Sequence, residues 1–150
     1  MKGRTMIKQK VMFVCTENSS RSQMAEGFVR HLAGDHFDVF SGGAQPRELN
    51  PSAVEVMKEI GIDISGQYSK DVAQFLGLRF HYIIRVRDKV REKCPVLPGA
   101  IWYLDWSFGD PAAAPGTAAD KLAVFRRVRD QIEKKINDFV AQEAHPREHS

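Results

Sequence analysis

One stretch of the chain decides its fold: Val11-Met-Phe-Val-Cys15-Thr-Glu-Asn-Ser-Ser-Arg21-Ser-Gln-Met-Ala-Glu-Gly27. Its first four residues are apolar and include β-branched and aromatic types, which is typical of a strand buried on both faces. From Ser22 onward, apolar residues recur at helical spacing, namely Met24, Ala25, Phe28, Val29 and Leu32. Gly34 follows and is predicted to cap the C-terminus of this helix. The polar loop from Cys15 to Arg21 therefore connects a buried strand to the start of a helix.

The position of this loop predicts a site for an oxyanion. Backbone N–H groups at a helix N-terminus lack partners, and the helix dipole adds positive charge there. The same field favours a thiolate, so the pKa of Cys15 is predicted to lie below its usual value of about 8.5. Arg21 supplies a guanidinium that can hold two oxygens of the anion, and Ser22 can donate a hydrogen bond to the sulfur. The residues expected to surround the anion are Thr16, Glu17, Asn18, Ser19, Ser20 and Arg21.

Composition indicates one globular domain. The chain has 150 residues, of which 43% are hydrophobic, so we expect a single domain over residues 1–150, with its core at about 10–140 and flexible ends. The net charge of +3 is spread along the chain, so nothing indicates a nucleic-acid partner. The apolar stretch near the N-terminus is too short for a signal peptide or a membrane span. Two cysteines, Cys15 and Cys94, suit a reducing cytoplasm in which thiols carry out chemistry.

Strand patterns alternate with helical patterns along the chain. Strands are predicted at residues 11–14, 37–41, 80–86 and 100–104. Helices are predicted at residues 22–33, 51–60, 71–76 and 118–141, and Asn50 is the expected N-cap of the second. The alternation predicts a parallel sheet covered by helices on both faces, with ligands at the carboxyl ends of the strands.

Apolar residues at helical spacing define the predicted inner faces of the later helices. They are Ala53, Val54, Met57, Ile60, Val72, Phe75, Leu76, Leu122, Phe125, Val128, Ile132, Ile136 and Phe139. The charged residues of the last helix, among them Arg129, are predicted to face solvent. Trp102 and Trp106 are candidates to line the site, and core packing is expected for at least one of them.

The longer motif Cys15-Thr-x-Asn-Ser-x-Arg-Ser-Gln-Met-Ala-Glu-Gly27 resembles the phosphate-binding loop of the low-molecular-weight protein tyrosine phosphatase superfamily. It is most similar to the arsenate reductase branch of that superfamily, and the resemblance covers residues from about 10 to 140. It implies a three-layer α/β/α fold with a four-stranded parallel sheet in the order 2-1-3-4. It also implies that Cys15 is the nucleophile and that Arg21 binds the substrate anion.

The resemblance extends to Phe108-Gly-Asp-Pro111, which implies that Asp110 is the general acid. On its own, an Asp-Pro pair would be only a turn signal. Tyrosine phosphatases of the family usually carry an aromatic residue after this pair, whereas this chain has Ala112, and no aromatic residue lies between Ala44 and Asn50. A small anion is therefore a better fit than a phosphotyrosine.

The second thiol departs from the family pattern. Glu92-Lys-Cys94-Pro-Val-Leu-Pro98 resembles the segment with the last redox cysteine of thioredoxin-linked arsenate reductases, so Cys94 is a possible redox thiol. Those enzymes carry another cysteine seven residues earlier, where this chain has Arg87. A guanidinium cannot attack a sulfur–arsenic bond, so an external thiol is expected to complete the reduction. Its source would be thioredoxin, glutathione or mycothiol, with a thioredoxin or glutaredoxin-type partner.

Other departures lie in and near the loop. Ser20 replaces a frequent cysteine, and Glu17 replaces the usual glycine, which adds negative charge beside the anion site. Asn18, Glu26 and Ser41 match positions that bind potassium in some relatives. Lys70 stands where the fourth ligand, an aspartate, would align, and Asp71 is a possible substitute. No tightly bound metal is therefore expected.

Three hypotheses follow for the function. The favoured one is an arsenate reductase in which Cys15 attacks arsenate and Asp110 protonates the leaving oxygen. The alternative is a phosphatase that forms a phosphoenzyme at Cys15, which would need no second thiol. The third is an oxyanion sensor without catalysis, which Glu17 and Arg87 favour and the three matched site residues oppose.

Overall fold

Four parallel strands form the central sheet of the protein. In this computed structural model, which describes residues 7–88 and 97–144, they are β1 (Gln9–Cys15), β2 (Phe37–Gly43), β3 (Phe80–Arg87) and β4 (Ala100–Ser107). β1 pairs with β2 and β3, and β3 pairs with β4, in each case in parallel. The order β2-β1-β3-β4 confirms the predicted fold class and strand order.

Helices follow the strands as the sequence predicts. They are α1 (Arg21–Ala33), α2 (Pro51–Lys58) and α3 (Ala118–Ala144), with 3-10 helices at Val72–Phe75 and Pro111–Ala113. α3 continues three residues beyond its predicted end, into a tail that was expected to be loose. The other residues expected to be flexible, 1–6 and 145–150, lie outside the described residues. None of the helices within the described ranges is long and apolar enough to cross a lipid bilayer.

Alternate residues of β1 supply the two faces of the core. Val11 and Phe13 point to the face covered by α1, α2 and α3, where most of the buried apolar residues lie. Met12 and Val14 point to the opposite face and join a smaller cluster. Among the described residues, that cluster is covered by the 3-10 helix at Val72–Phe75 and by Leu97. All four of these β1 side chains are fully buried, as a strand between two layers requires.

Several predicted side-chain environments are wrong, and most of these errors lie at helix ends. Leu32, Ile60 and Leu76 are exposed, because each lies in the last turn of its helix or just beyond it. Gly34 does follow α1, but its φ of −60° is right-handed and not that of a left-handed cap. By contrast, Asn50 caps α2 as predicted, since its side chain accepts a hydrogen bond from the Ser52 N–H at 2.8 Å.

Arg129 is also placed wrongly by the sequence pattern. It was expected on the solvated face of α3, yet its side chain is buried against α2. Its guanidinium donates to the carbonyl oxygen of Val56 at 2.9 Å and to the carboxylate of Glu59 at 2.9 Å. The long apolar stem of arginine lets the residue lie between two helices while its charge is paired.

The sheet places the predicted site residues at one edge. Cys15 is the last residue of β1 and lies in register with Gly43, the last residue of β2. Asp110 follows β4 by three residues. Trp106 is a core residue, with its ring centroid 5.9 Å from that of Phe13, whereas Trp102 lies near the start of β4 and is exposed. The expectation of core packing for at least one tryptophan is therefore confirmed.

Candidate active site

The loop after β1 is fastened to the segment that follows β2. The N–H groups of Gln45, Arg47 and Asn50 donate to the carbonyl oxygens of Thr16, Glu17 and Ser19, at 2.7, 3.0 and 3.0 Å. Gly43 allows this close approach, because a Cβ there would lie 2.7 Å from the Thr16 oxygen. The Ser19 hydroxyl adds a bond to the carbonyl of Glu48 at 2.9 Å. The loop thus has a fixed shape.

Two hydrogen bonds converge on the Cys15 sulfur. The Asn18 N–H donates to Sγ at 3.0 Å, and the Ser22 hydroxyl lies 2.9 Å from Sγ. Asn18 adopts a left-handed conformation with a φ of 52°, which turns its N–H toward the sulfur. The structure therefore brings Cys15, Asn18 and Ser22 together at the N-terminus of α1.

Neighbouring groups determine the direction of the Ser22 bond. The Asn18 Oδ1 atom accepts from the Lys70 N–H at 2.9 Å, so the Asn18 Nδ2 atom must be the donor to its other partners. One of these is the Ser22 oxygen, at 2.9 Å. Because that oxygen already accepts a hydrogen bond, the Ser22 hydroxyl proton is free to point at Cys15. Both contacts then stabilise a thiolate.

The predicted lowering of the Cys15 pKa is wrong for the protein alone. Burial of the thiol raises its pKa above the ordinary value of a cysteine, and this effect outweighs four opposing ones. The opposing effects come from the Ser22 hydroxyl, the Asn18 amide, the Arg21 charge and the Glu17 amide. The physical reason is that a thiolate enclosed by the loop loses most of its hydration. The sequence motif indicates the polar contacts and does not show the depth of burial.

Arg21 links the loop to the segment that carries Asp110. Its side chain is only 7% exposed, and Nη1 donates to the carbonyl oxygen of Phe108 at 3.0 Å. Its Nη2 atom lies 3.9 Å from Asp110 Oδ1. Asp110 remains about one-third exposed and accepts a hydrogen bond from the Ala112 N–H at 3.0 Å. The structure thus places a buried guanidinium next to the predicted acid.

Glu17 and Ser20, the two departures within the loop, have different surroundings. The Glu17 carboxylate is partly exposed and pairs with the Arg47 guanidinium at 3.2 Å, outside the buried part of the loop. Its negative charge is therefore partly neutralised. The Ser20 hydroxyl is buried and has no hydrogen-bond partner within residues 7–88 and 97–144. It does not cap α1, although Ser20 occupies the N-cap position.

The structure describes Arg87 but not Cys94, the possible redox thiol. Cys94 lies in the segment 89–96, outside the described residues. Arg87 is at the end of β3, where its Nη2 atom lies 2.8 Å from Asp105 Oδ2. Arg85 pairs with the same carboxylate at 3.0 Å. The position of the family's second cysteine is thus occupied by a paired guanidinium.

The residues that match potassium ligands of some relatives do lie together. The Ser41 hydroxyl accepts from the Asn18 Nδ2 atom at 2.9 Å and donates to Glu26 Oε1. Lys70 adds its ammonium to this cluster, whereas Asp71 instead caps the following 3-10 helix by accepting from the Ala73 N–H at 2.9 Å. No group of three or more His, Cys, Asp or Glu residues suited to a metal is found in the part of the chain that the structure describes.

Sequence reasoning missed two residues that support the loop. Gln23 donates from Nε2 to the Asn18 carbonyl oxygen at 3.0 Å and to the Tyr68 carbonyl oxygen at 2.9 Å. Gln67 donates in turn to the Gln23 side-chain oxygen at 2.8 Å. Gln23 lies within the motif that identifies the loop and could have been singled out there. No pattern in the sequence points to Gln67.

Comparison with known proteins identifies the family. Residues 10–148 match the family model for low molecular weight phosphotyrosine protein phosphatase. The arsenate reductase of Halalkalibacterium halodurans is 46% identical over 134 residues, which cover 89% of this chain and 96% of that protein. A solved structure of an arsenate reductase in the phosphate binding state is 36% identical, with a TM-score of 0.75. The match covers 89% of this chain and 98% of the chain in that structure.

A more distant solved structure differs in its extent. The thioredoxin-dependent arsenate reductase of Corynebacterium glutamicum is 25% identical, with a TM-score of 0.68. The match covers 93% of this chain and 64% of that one. Since the family model spans nearly the whole chain and these relatives share its fold, the protein belongs to the low-molecular-weight phosphotyrosine protein phosphatase family, and the relatives described here are arsenate reductases.

Proposed function

We propose that this protein is an arsenate reductase that uses Cys15 as its nucleophile. The observation that carries the proposal is the Cys15 sulfur at the end of β1, which accepts hydrogen bonds at the N-terminus of α1 beside the buried Arg21. Such a loop suits a tetrahedral oxyanion. Relatives that match most of the chain are arsenate reductases, which supports arsenate as the anion.

The first step joins sulfur to arsenic. Arg21 and the loop amides hold the arsenate oxygens, and the Cys15 thiol passes its proton to the bound arsenate dianion. The sulfur then attacks arsenic(V), so that an S–As bond forms while one As–O bond breaks. Asp110 donates a proton, and the departing oxygen leaves as water. Because burial raises the pKa of Cys15, a substrate that accepts the thiol proton is needed for this step.

The second step reduces the arsenic. An external thiolate attacks Cys15 Sγ, an S–S bond forms, and the electron pair of the S–As bond stays on arsenic, which leaves as arsenite. A second thiol then releases Cys15 from the mixed disulfide. Two thiols are oxidised for each arsenate. The thioredoxin dependence of the Corynebacterium glutamicum relative supports a thiol reductant. Thioredoxin, glutathione and mycothiol systems, or Cys94 acting directly, are the candidates.

Because Arg87 stands at the position of the second cysteine, the thiol that completes the reduction has to come from Cys94 or from another molecule. Position 87, at the end of β3, holds an arginine that pairs with Asp105, and it therefore supplies no thiol. The protein has only two cysteines, which also suits a reducing compartment, and we propose the cytoplasm.

Arsenate turnover with purified thiol systems tests the proposal. We expect arsenite formation with at least one of thioredoxin, glutathione with glutaredoxin, or mycothiol with its redoxin. Cys15→Ser should abolish it, and Cys94→Ser should retain it if the external thiol resolves the intermediate. Absence of arsenite with every system would contradict the proposal. Arsenate binding without turnover would then indicate an oxyanion sensor.

A phosphatase is the second candidate, and Arg87 is the observation that favours it. A phosphoenzyme at Cys15 is hydrolysed by water, so the guanidinium at the end of β3 would be no obstacle. Hydrolysis of p-nitrophenyl phosphate, compared with arsenate reduction on the same preparation, separates the two functions. We expect arsenate to have the higher kcat/KM; the reverse order would favour the phosphatase.

A further inference from the structure

A lysine ammonium lies in the buried cluster next to the nucleophile loop. The Lys70 Nζ atom is 3.6 Å from Glu26 Oε1 and donates to the carbonyl oxygen of Tyr68 at 2.6 Å. The two charged side chains are 10% and 6% exposed, so the pair is largely removed from water. The Glu26 carboxylate also accepts from the Arg30 guanidinium at 2.7 Å, so two cations pair with a buried charge that would be costly alone.

The cluster does not fit a bound potassium ion. The family resemblance places potassium ligands at Asn18, Glu26 and Ser41, with an aspartate at the position of Lys70. In this chain the ammonium lies against the one carboxylate that an alkali ion would use. Asp71, the possible substitute ligand, is exposed and caps the next 3-10 helix instead. A further cation at Glu26 would be repelled by the Lys70 ammonium and by the Arg30 guanidinium.

A chain of hydrogen bonds connects this ammonium to the reactive sulfur. Glu26 accepts from the Ser41 hydroxyl, whose oxygen accepts from Asn18 Nδ2 at 2.9 Å. The same Nδ2 atom donates to Ser22, which lies 2.9 Å from the Cys15 sulfur. The Asn18 amide, oriented by the Lys70 N–H, donates to both hydroxyls, and the Ser41 hydroxyl donates onward to the Glu26 carboxylate. The Ser22 proton is therefore available to Cys15 while Asn18 keeps this orientation.

The backbone of Lys70 acts on the same residue from the other side. Its N–H donates to Asn18 Oδ1 at 2.9 Å, which fixes the orientation of the Asn18 amide. Asn18 is the one non-glycine residue with positive φ among those described, so surrounding contacts must hold its conformation. That conformation directs the Asn18 N–H at Cys15 Sγ. Lys70 thus supports both donors to the sulfur.

We propose that Lys70 is a positioning residue whose tethered ammonium takes the place of an alkali ion in this protein. The ammonium pairs with the Glu26 carboxylate beside the Arg30 guanidinium, and through Glu26 and Ser41 it holds Asn18 and Ser22 in the arrangement that directs their donors at Cys15. The inference rests on Cys15 as the nucleophile of the proposed function. It predicts a protein whose activity does not depend on potassium.

Two substitutions at Lys70 separate charge from volume. Lys70→Ala removes the ammonium and leaves space beside the oxygens of Glu26 and Tyr68, which are suitable ligands for a hard cation. Lys70→Met removes the charge but fills the space. In choline chloride we expect both variants to lose about tenfold or more in kcat for arsenate reduction, because the donors to Cys15 are misplaced. Potassium chloride at equal ionic strength should restore Lys70→Ala severalfold and leave Lys70→Met and the wild type unchanged.

A second readout does not need turnover. The alkylation rate of Cys15 at fixed pH, followed by mass spectrometry of its peptide, should fall in both variants and recover with potassium in Lys70→Ala alone. Lys134→Ala is the matched control, since Lys134 is 79% exposed on α3, and it should behave as the wild type. If no thiol system supports arsenite formation, this alkylation pattern still tests the role of Lys70.

Several results would overturn the inference. Potassium stimulation of the wild type would show that the ammonium does not replace the ion. Unchanged Cys15 alkylation in Lys70→Ala, or equal effects of potassium on both variants, would show that the charge has no role in positioning. Failure of Lys70→Ala to fold in either salt would also count against it, because potassium should then supply the missing charge.

Discussion

The Cys15 sulfur experiences two opposing influences. Burial favours the neutral thiol, whereas Ser22, Asn18 and Arg21 favour the thiolate. Because burial has the larger effect, the protein alone holds Cys15 as a thiol at neutral pH. A dianionic substrate changes this balance, since it can accept the proton as it enters the loop. The polar contacts then act on the sulfur that attacks.

The pH dependence of Cys15 alkylation tests this balance. Because burial raises the pKa of the thiol above its ordinary value, the rate should still be rising in the pH range where an ordinary cysteine has finished titrating. The same shift affects stability, because the folded protein holds the thiol proton more tightly than the unfolded chain does. This contribution to stability is fully present below the pKa of the unfolded chain, about 8.5, and is lost as the pH rises above that value. The stability of the wild type relative to Cys15→Ser should therefore fall above that pH. An alkylation midpoint below pH 8 would contradict the expectation.

Substitution of Asp110 tests the general acid. Asp110→Asn keeps the side-chain oxygen that accepts from the Ala112 N–H, so the fold should be preserved. It removes the proton that the leaving oxygen needs, and kcat for arsenate reduction should fall by roughly 10²–10⁴. Steady-state kinetics provide the measurement, with the exposed Asp138→Asn as the control. A loss smaller than threefold would exclude Asp110 from this role.

Helices and strands differ in how far the sequence could predict them. All four strands were predicted, because apolar runs of β-branched and aromatic residues need a covered sheet. Each extends beyond its predicted bounds, mostly into polar or small residues such as Gln9 and Gly43, although β4 also includes Trp106. Helix ends were predicted less well. Leu76, for example, was expected to face inward but is exposed. Periodicity assigns a residue to a face, and it does not indicate where a helix passes the edge of the sheet.

Arg129 provides a prediction at the scale of packed helices. Its side chain joins α3 to α2 through the carbonyl of Val56 and the carboxylate of Glu59. Arg129→Met keeps the apolar stem but leaves the buried carbonyl unpaired, which should lower the free energy of unfolding by about 1–3 kcal/mol. Urea denaturation measures the loss. Arg126→Met, at the more exposed partner of Glu59, should cost less, and equal losses would contradict this role for the Val56 contact.

The molecule as a whole forms the site from the ends of several strands. Cys15 ends β1, Ser41 lies near the end of β2, and Asp110 follows β4. A parallel sheet gathers these ends at one edge, so the sequence could predict that these residues lie on the same side of the molecule. The strand order came from the family resemblance and not from composition or spacing.

The finer arrangement could not be predicted in this way. The bond from Arg21 to the Phe108 carbonyl joins residues 87 positions apart, and the Lys70 contact with Asn18 joins residues 52 apart. Such contacts depend on how loops lie on the finished sheet, which no local pattern encodes. The burial that raises the pKa of Cys15 is likewise a property of the assembled loop.

Single-turnover stoichiometry tests the central claim, that Cys15 transfers electrons from a thiol to arsenate. The enzyme is mixed with arsenate and a limiting small thiol, and both arsenite and the disulfide at Cys15 are quantified by mass spectrometry. The proposed mechanism predicts one arsenite released for each Cys15 that enters a disulfide, and neither product in Cys15→Ser. Arsenite formed while Cys15 remains a free thiol and Cys15→Ser stays active would contradict it.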